Sequence, residues 1–194
     1  MKKAFSIRRF APALGFIAGV LFSLSAAAAP YEIDPAHAFI QFRVSHLGFS
    51  VLNGRFNQFA GNFTWDKGNP GASTIEVTVD TASIDSNWAE RDKHLRSPDF
   101  LDVEKYPRAV FKATKYTGDA GGGKLEGTLT LHGVTRPMVL DVQVIGEGPD
   151  PWGGYRAGFS ARTSLRRADF GMEYDLGPPA ETMELDLYVE GIRK

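Results

Sequence analysis

The 194-residue chain contains no cysteine. Disulfides, thiolate metal sites and thiol nucleophiles are therefore excluded, and a domain of this size does not need disulfides to hold a core. No surplus of positive charge exists either, since 22 Lys and Arg stand against 23 Asp and Glu. Four of those basic residues and none of the acidic ones fall in the first 29, so the remainder carries about −5. A nucleic-acid partner is not expected, because neutralising phosphates needs a basic face. Beyond residue 24 there is no long apolar run that could form a membrane-spanning helix. The motifs G-x-S-x-G, H-E-x-x-H and H-x-H are all missing. His37, His46, His94 and His132 are scattered along the chain. No catalytic residue and no metal ligand is assigned on these grounds.

The first residues follow a different plan. Lys2, Lys3, Arg8 and Arg9 precede an apolar stretch from Phe10 to Leu24, and Ser25 to Ala29 are small. This order is that of a secretory signal peptide, with Ala27-Ala28-Ala29 supplying the cleavage pattern. Phe10 follows the arginine pair too closely for a twin-arginine signal, which leaves the general secretion route. Two regions follow: a leader, 1–29, and one folded domain, 30–194.

From Tyr31 onward, period-two alternation dominates. Ile40, Phe42 and Val44 share a face, as do Ile75, Val77 and Val79. So do Leu125, Gly127, Leu129 and Leu131, then Met138, Leu140, Val142 and Val144. Ala157, Phe159, Ala161 and Leu165 line up, and so do Met183, Leu185, Leu187 and Val189. Shorter strand candidates are Tyr31–Asp34, Phe49–Phe59, Gly61–Trp65 and Ala109–Tyr116. Turn signals such as Asp66–Gly71, Gly118–Gly123, His132-Gly133 and Asp150–Gly154 separate them. Eight or nine strands, each with one polar face, fit an antiparallel barrel or sandwich. An outer-membrane barrel would instead need apolar outward faces.

One segment breaks the alternation. Asn87-Trp88-Ala89-Glu90 reads as a capping box with Asn87 as the cap. Arg91 to Arg96 continue a helix in which Asp92 and Arg96 sit four apart. Ser97-Pro98 ends it, and Phe100, Leu101 and Val103 follow as an apolar patch. The excursion reads as a cap over one end of the sheet. The inward faces also carry Ala113, Gly127, Ala157 and Ala161. Small residues there leave volume that an eight-stranded barrel can give to a ligand, unless the 14 phenylalanines fill it. Spacing leaves the hollow and the filled barrel equally open.

Several blocks then identify the chain's kin. Ile33-Asp34-Pro35-Ala36-His37, Phe42 to Gly48, Gly54-Arg55-Phe56-Asn57 and Asp85 to Leu101 occur in that order. Leu129 to Thr135, Asp150-Pro151-Trp152-Gly153 and Asp169-Phe170-Gly171 follow. Together they resemble the YceI-like family over nearly all of the chain after the leader. The resemblance implies a lipocalin-like, eight-stranded antiparallel β-barrel, all-β apart from the short helical cap. It also implies an elongated apolar tunnel, periplasmic location, and binding of a polyisoprenoid such as an isoprenoid quinone. The expected role is non-enzymatic transport or storage, with the lipid as ligand and no other cofactor. The rivals are a periplasmic enzyme acting on a prenyl-linked substrate and an interaction module with a filled barrel. A homodimer and transient contact with the inner membrane or a membrane protein are further partner expectations.

Energetics favour a tunnel over a cup for such a ligand. Each buried CH2 contributes about 0.8 kcal/mol, whereas association costs roughly 4–15 kcal/mol. Only a long tail binds tightly, with its head group near the mouth. The expected wall is Ile40, Phe42, Val44 and Phe56, with Val77, Val79 and Phe111, then Leu129, Leu131 and Val142, and finally Phe159, Leu187 and Val189. Leu95, Phe100 and Leu101 are the expected cap. Arg55, Arg91, Lys93, His94 and Arg96 are candidates for a quinone or phosphate head, against the alternative of a solvated, ion-paired helix face.

Overall fold

The computed structural model describes residues 28–194. Nearly all of the expected leader therefore lies outside the described residues, and its last residue, Ala29, opens the first strand. The strands are β1 (Ala29–Ile33), β2 (Phe39–His46), β3 (Ser50–Phe56), β4 (Phe59–Trp65), β5 (Thr74–Asp80) and the two-residue β6 (Ile84–Asp85). One helix, α1 (Ala89–Arg96), follows. Then come β7 (Arg108–Gly118), β8 (Gly122–Leu131), β9 (Val134–Pro149), β10 (Tyr155–Arg166) and β11 (Thr182–Arg193).

Eight staves close into one ring. β1 and β2 both lie along β11, at Gly191–Arg193 and Met183–Tyr188 respectively. β3 pairs with β2 and β4 with β1, so β1 and β2 together make one interrupted stave and β3 and β4 together make the next. The remaining staves run β5, β7, β8, β9, β10 and β11, every contact antiparallel. Pairing of β1 with β11 removes the open edge. The β8–β9 turn confirms the punctuation at His132-Gly133, where both residues take positive φ, 51° and 73°, as a two-residue hairpin requires.

Two bulges reset which side chains face inward. Ala113 pairs with Gly127 but Lys115 pairs with Glu126, so Thr114 is the extra residue and Tyr116 turns inward. On β9, Val144 pairs with Phe159 and Gly146 with Gly158, leaving Ile145 as the extra residue. Ile145 points out, 66% exposed, whereas the Glu147 carboxylate accepts a 2.7 Å hydrogen bond from the buried Trp65 indole.

The helical cap forms where expected, but its first turn is made differently. Trp88, not Asn87, is the cap residue, and it offers no side-chain bond. Asn87 is instead held at φ 64° by its N–H donating to Asp85 Oδ1 at 2.9 Å. The pairing of Asp92 with Arg96 does not form, because each has a nearer partner. Asp92 is buried and accepts from Ser86 N (2.8 Å) and Ser86 Oγ (2.5 Å). Arg96 donates to Ala82 O (2.7 Å) and Ile84 O (2.6 Å), tying α1 to the chain before it. Thr81, almost fully buried, donates to Tyr106 O at 2.8 Å and anchors the far side of the cap.

At the opposite end of the barrel, Arg156 is an ionic hub. It reaches Asp34 Oδ2 at 2.7 Å, Asp150 Oδ2 at 3.0 Å and Glu190 Oε1 at 2.5 Å. His37 Nδ1 adds a 2.9 Å contact to Asp34. Asp34, His37 and Glu190 place three possible metal-ligand atoms together, a grouping that sequence spacing does not suggest. The Arg156 guanidinium already pairs with both carboxylates there. The Arg156 hydrogen bond, with His37 adding to it, holds the Asp34 carboxyl down to about 2. A depressed carboxylate contributes stability that is complete above its ordinary value near 4 and disappears as pH falls through 2. We therefore expect Arg156→Met to melt below wild type at pH 6, with the gap in Tm shrinking as the buffer is taken to pH 2. A gap that stays constant across that range in thermal melts monitored by circular dichroism would show that the stability lost with Arg156 does not come from its pairing with the Asp34 carboxylate.

Candidate functional site

Between the aromatic cluster at one end and the cap at the other, the inward faces of the staves leave open space. Two cavities lie end to end along its axis, an inner one of about 170 Å³ and an outer one of about 410 Å³. Ile40, Val79, Ala109, Leu129 and Leu185 line both, so the two are successive parts of one tunnel. From Met183 at the outer end to Val189 at the inner end, the wall runs about 20 Å along β11. Among the described residues, no carboxylate lines either cavity.

Every residue expected in the wall faces this tunnel. Val77, Phe111, Val142, Phe159, Leu187 and Val189 line the inner part. Phe42, Val44, Phe56 and Leu131 line the outer part, and Ile40, Val79 and Leu129 line both. Leu95, Phe100 and Leu101 close over the outer part from the cap segment.

The small inward residues have different roles from one another. Ala161 borders the inner cavity. Ala157 has no exposed surface at all and packs within an aromatic cluster with Tyr31, Phe63 and Trp65. Gly127 does not leave space: a β-carbon there would lie 2.6 Å from Phe111 Cζ. Gly54 lies against the Phe42 ring, and Gly191 against the Phe63 ring, in the same way. The missing side chains at these positions are thus filled by flat aromatic rings. The inner end is floored by aromatics, with Tyr31 stacked on Phe63 at 4.9 Å and Trp65 edge-on to Phe159 at 5.1 Å.

Only part of the expected head-group set gathers at the outer end. Arg91 and His94 line the outer cavity. Arg91 Nε donates to Ser86 Oγ at 2.7 Å, and His94 Nε2 contacts Asp99 Oδ2 at 2.8 Å. Arg55 does not, because Leu52, Gly54 and Phe56 take the inward positions of β3 and Arg55 points out toward Asp85, 3.3 Å away. Arg96 is turned to the carbonyls of Ala82 and Ile84. Lys93 lies exposed on the outer side of α1 and lines neither cavity.

A further cation in the site has no counterpart in the sequence expectations. Arg167, 8% exposed, lines the outer cavity from the segment after β10. Its Nε donates to Ala180 O at 2.9 Å, and Nη1 and Nη2 share Tyr174 O at 3.2 Å. Its guanidinium lies 5.9 Å from the centre of the Phe100 ring. Every hydrogen-bond partner it has among the described residues is a backbone carbonyl, and burial pushes its pKa down. The segment it holds, 167–181, brings Met172 and Leu176 over the mouth. Its only sequence signal is the Asp169-Phe170-Gly171 block. Tyr116 was equally hidden, because the Thr114 bulge reverses the alternation before it.

This fold and this interior define a class: a hollow, lipocalin-like antiparallel barrel with one apolar tunnel and a helical cap. Residues 31–190 match the YceI-like domain. A UPF0312 protein of Pseudomonas aeruginosa is 53% identical over 171 residues, covering 87% of this chain and 90% of that one. The YCEI protein of Campylobacter jejuni superposes with a TM-score of 0.70 at 30% identity, over 78% of this chain and 90% of that one. A polyisoprenoid binding domain from Saccharophagus degradans superposes with a TM-score of 0.63 at 18% identity, over 86% and 99%, a likeness of fold. The chain belongs to the YceI-like family.

The ring-on-glycine contacts give a direct test of what shapes the tunnel. Gly54→Ala is expected to push the Phe42 ring off its strand and cost about 1–3 kcal/mol, as overpacking does. Urea titration checks it. An unchanged midpoint would mean that Phe42 rotates away freely and that Gly54 does not hold it.

Proposed function

We propose that the protein is a periplasmic, non-enzymatic carrier or store of a long-chain polyisoprenoid, either an isoprenoid quinone or a related prenyl lipid. The observation that carries this reading is the tunnel: two successive apolar cavities, free of carboxylates among the described residues. Their volumes together fall within roughly the 300–1,000 Å³ of small-molecule sites. Their run of about 20 Å along the strand suits an extended chain more than a compact ligand. A filled interaction module would have no use for such a space, since ordinary cores pack to near-crystalline density. The polyisoprenoid named for the Saccharophagus degradans domain supports the choice of lipid. The basic leader with its Ala27-Ala28-Ala29 ending supports export.

In this reading the tail lies along the tunnel and the head group stops at the outer end. Arg91, His94 and Arg167 surround that end. They present N–H donors, which suit a quinone carbonyl or a phosphate oxygen. Arg167 also carries a charge that no carboxylate hydrogen-bonds, so an oxygen-rich head group stabilises it as well as being held by it.

The test is identification of the lipid in protein purified from the periplasm, by organic extraction and mass spectrometry. Ala161→Phe places a ring in the inner cavity and is expected to cut the copurified lipid severalfold with little change in Tm. Val139→Phe, on the outer face of β9 where Val139 is 48% exposed, is expected to leave loading unaltered. Equal loading in all three proteins would mean that the lipid does not occupy the tunnel. A wild-type protein that emerges without any prenyl lipid would end the carrier reading.

A further inference from the structure

The β2–β3 hairpin ends in a tip whose apolar side chains are largely exposed. Leu47 is 56% exposed, Phe49 86% and Val51 58%. Hairpin turns of this kind favour Asn, Asp and Gly at positive φ. Here Leu47 takes φ 53° and Gly48 φ 78°, and Phe49 N donates to His46 O at 2.9 Å. A left-handed leucine is uncommon, and it sits at the apex with a phenylalanine two residues on. Single exposed apolar residues are ordinary on a soluble protein, but three within five residues on one tip form a patch.

The position of the tip gives the patch its meaning. His46 and Leu47 line the outer cavity as well as belonging to the tip. The tip is therefore the rim of the tunnel mouth, continued outward. Tyr174, 42% exposed, belongs to the same end and packs against His94 and Phe100 at 5.1 Å from each.

We propose that this tip inserts into the surface of a phospholipid bilayer and sets the tunnel mouth against the membrane. The proposal rests on the carrier reading for its purpose, and on the tip alone for its geometry. A prenyl tail moving between bilayer and barrel through water would expose each of its carbons. An apolar rim dipped into the interface removes that water gap. The patch is too small for a stable protein partner. Three such side chains offer at most about 500 Å², against the roughly 800 Å² per partner of a standard protein interface. A bilayer needs no such area, since a few apolar side chains suffice for reversible binding at its surface.

The test is flotation of the full secreted chain with vesicles of phosphatidylethanolamine and phosphatidylglycerol. Wild type is expected to float with the vesicles. Phe49→Ser is expected to lower the vesicle partition coefficient about tenfold, and Leu47→Ser combined with it further still. Ile145→Ser, which removes a 66% exposed apolar residue from the outer face of β9, is expected to float as wild type does. Leu47, Phe49 and Ile145 belong to none of the buried core clusters, so Tm should stay close to wild type in all variants. Flotation equal in wild type and Phe49→Ser, or absent in wild type, overturns the proposal. So does a tip variant that alters only the oligomeric state, which would make the tip a protein interface. Lipid extraction from the same preparations keeps the two readings apart. Lipid-loaded protein that ignores vesicles sinks membrane docking alone, whereas lipid-free protein that floats sinks the carrier reading alone.

Discussion

The closure of β1 onto β11 is the constraint on which the rest depends. An open sheet needs a packed core or a covering layer to hide its edges and its apolar face. A closed ring satisfies its backbone donors and acceptors around the circumference, whatever lies in the middle. That is what permits inward faces to stop short of one another and leave a tunnel. The interior then forgoes the dense packing that stabilises ordinary cores, and other features compensate. Aromatic clusters floor one end, α1 and the 167–181 segment cover the other, and ion pairs brace the outside. On the outer face, Arg43 binds Glu184 at 2.6 Å and Asp186 at 2.8 Å, joining β2 to β11 where the stave resumes.

The distribution of charge follows from the same arrangement. Among the described residues, carboxylates are kept off the tunnel wall, and the basic side chains that reach it stand at one end. A uniformly apolar bore would hold a tail without orienting it. A bore with Arg91, His94 and Arg167 at a single end distinguishes one end of an asymmetric molecule from the other. Arg167 does structural work there too, since the carbonyls it gathers hold the 167–181 segment over the opening.

Much of this was legible in the sequence, for a simple reason. Strict alternation on Ile40–Val44, Val77–Val79, Leu129–Leu131 and Leu187–Val189 assigns the inward side chains directly, and all of these do face the tunnel. Three kinds of feature were not legible. Bulges at Thr114 and Ile145 reverse the alternation locally, which hid Tyr116 and Glu147. Irregular segments have no period, which hid Arg167. Ion pairs between strands far apart in sequence leave no local pattern. Asp34 and Asp150 meet Arg156 at the end of the barrel away from the mouth, a grouping that no spacing announces. The cap repeats the lesson: Asn87 and Glu90 have the spacing of a capping box, but buried Asp92 found Ser86 first.

The rings that lie flat on Gly54, Gly127 and Gly191 have one more consequence. Phe42, Phe111 and Phe63 all border the tunnel, and each rests on a strand that offers no β-carbon to lock it from beneath. The calibre of the bore is consequently set by glycine as much as by aromatic bulk, because a ring can lie down on the wall only where the strand beneath it ends at the backbone. Each such phenylalanine takes from the bore the thickness of a ring rather than its length. An interior rich in aromatics is in this way compatible with room for a chain along the axis.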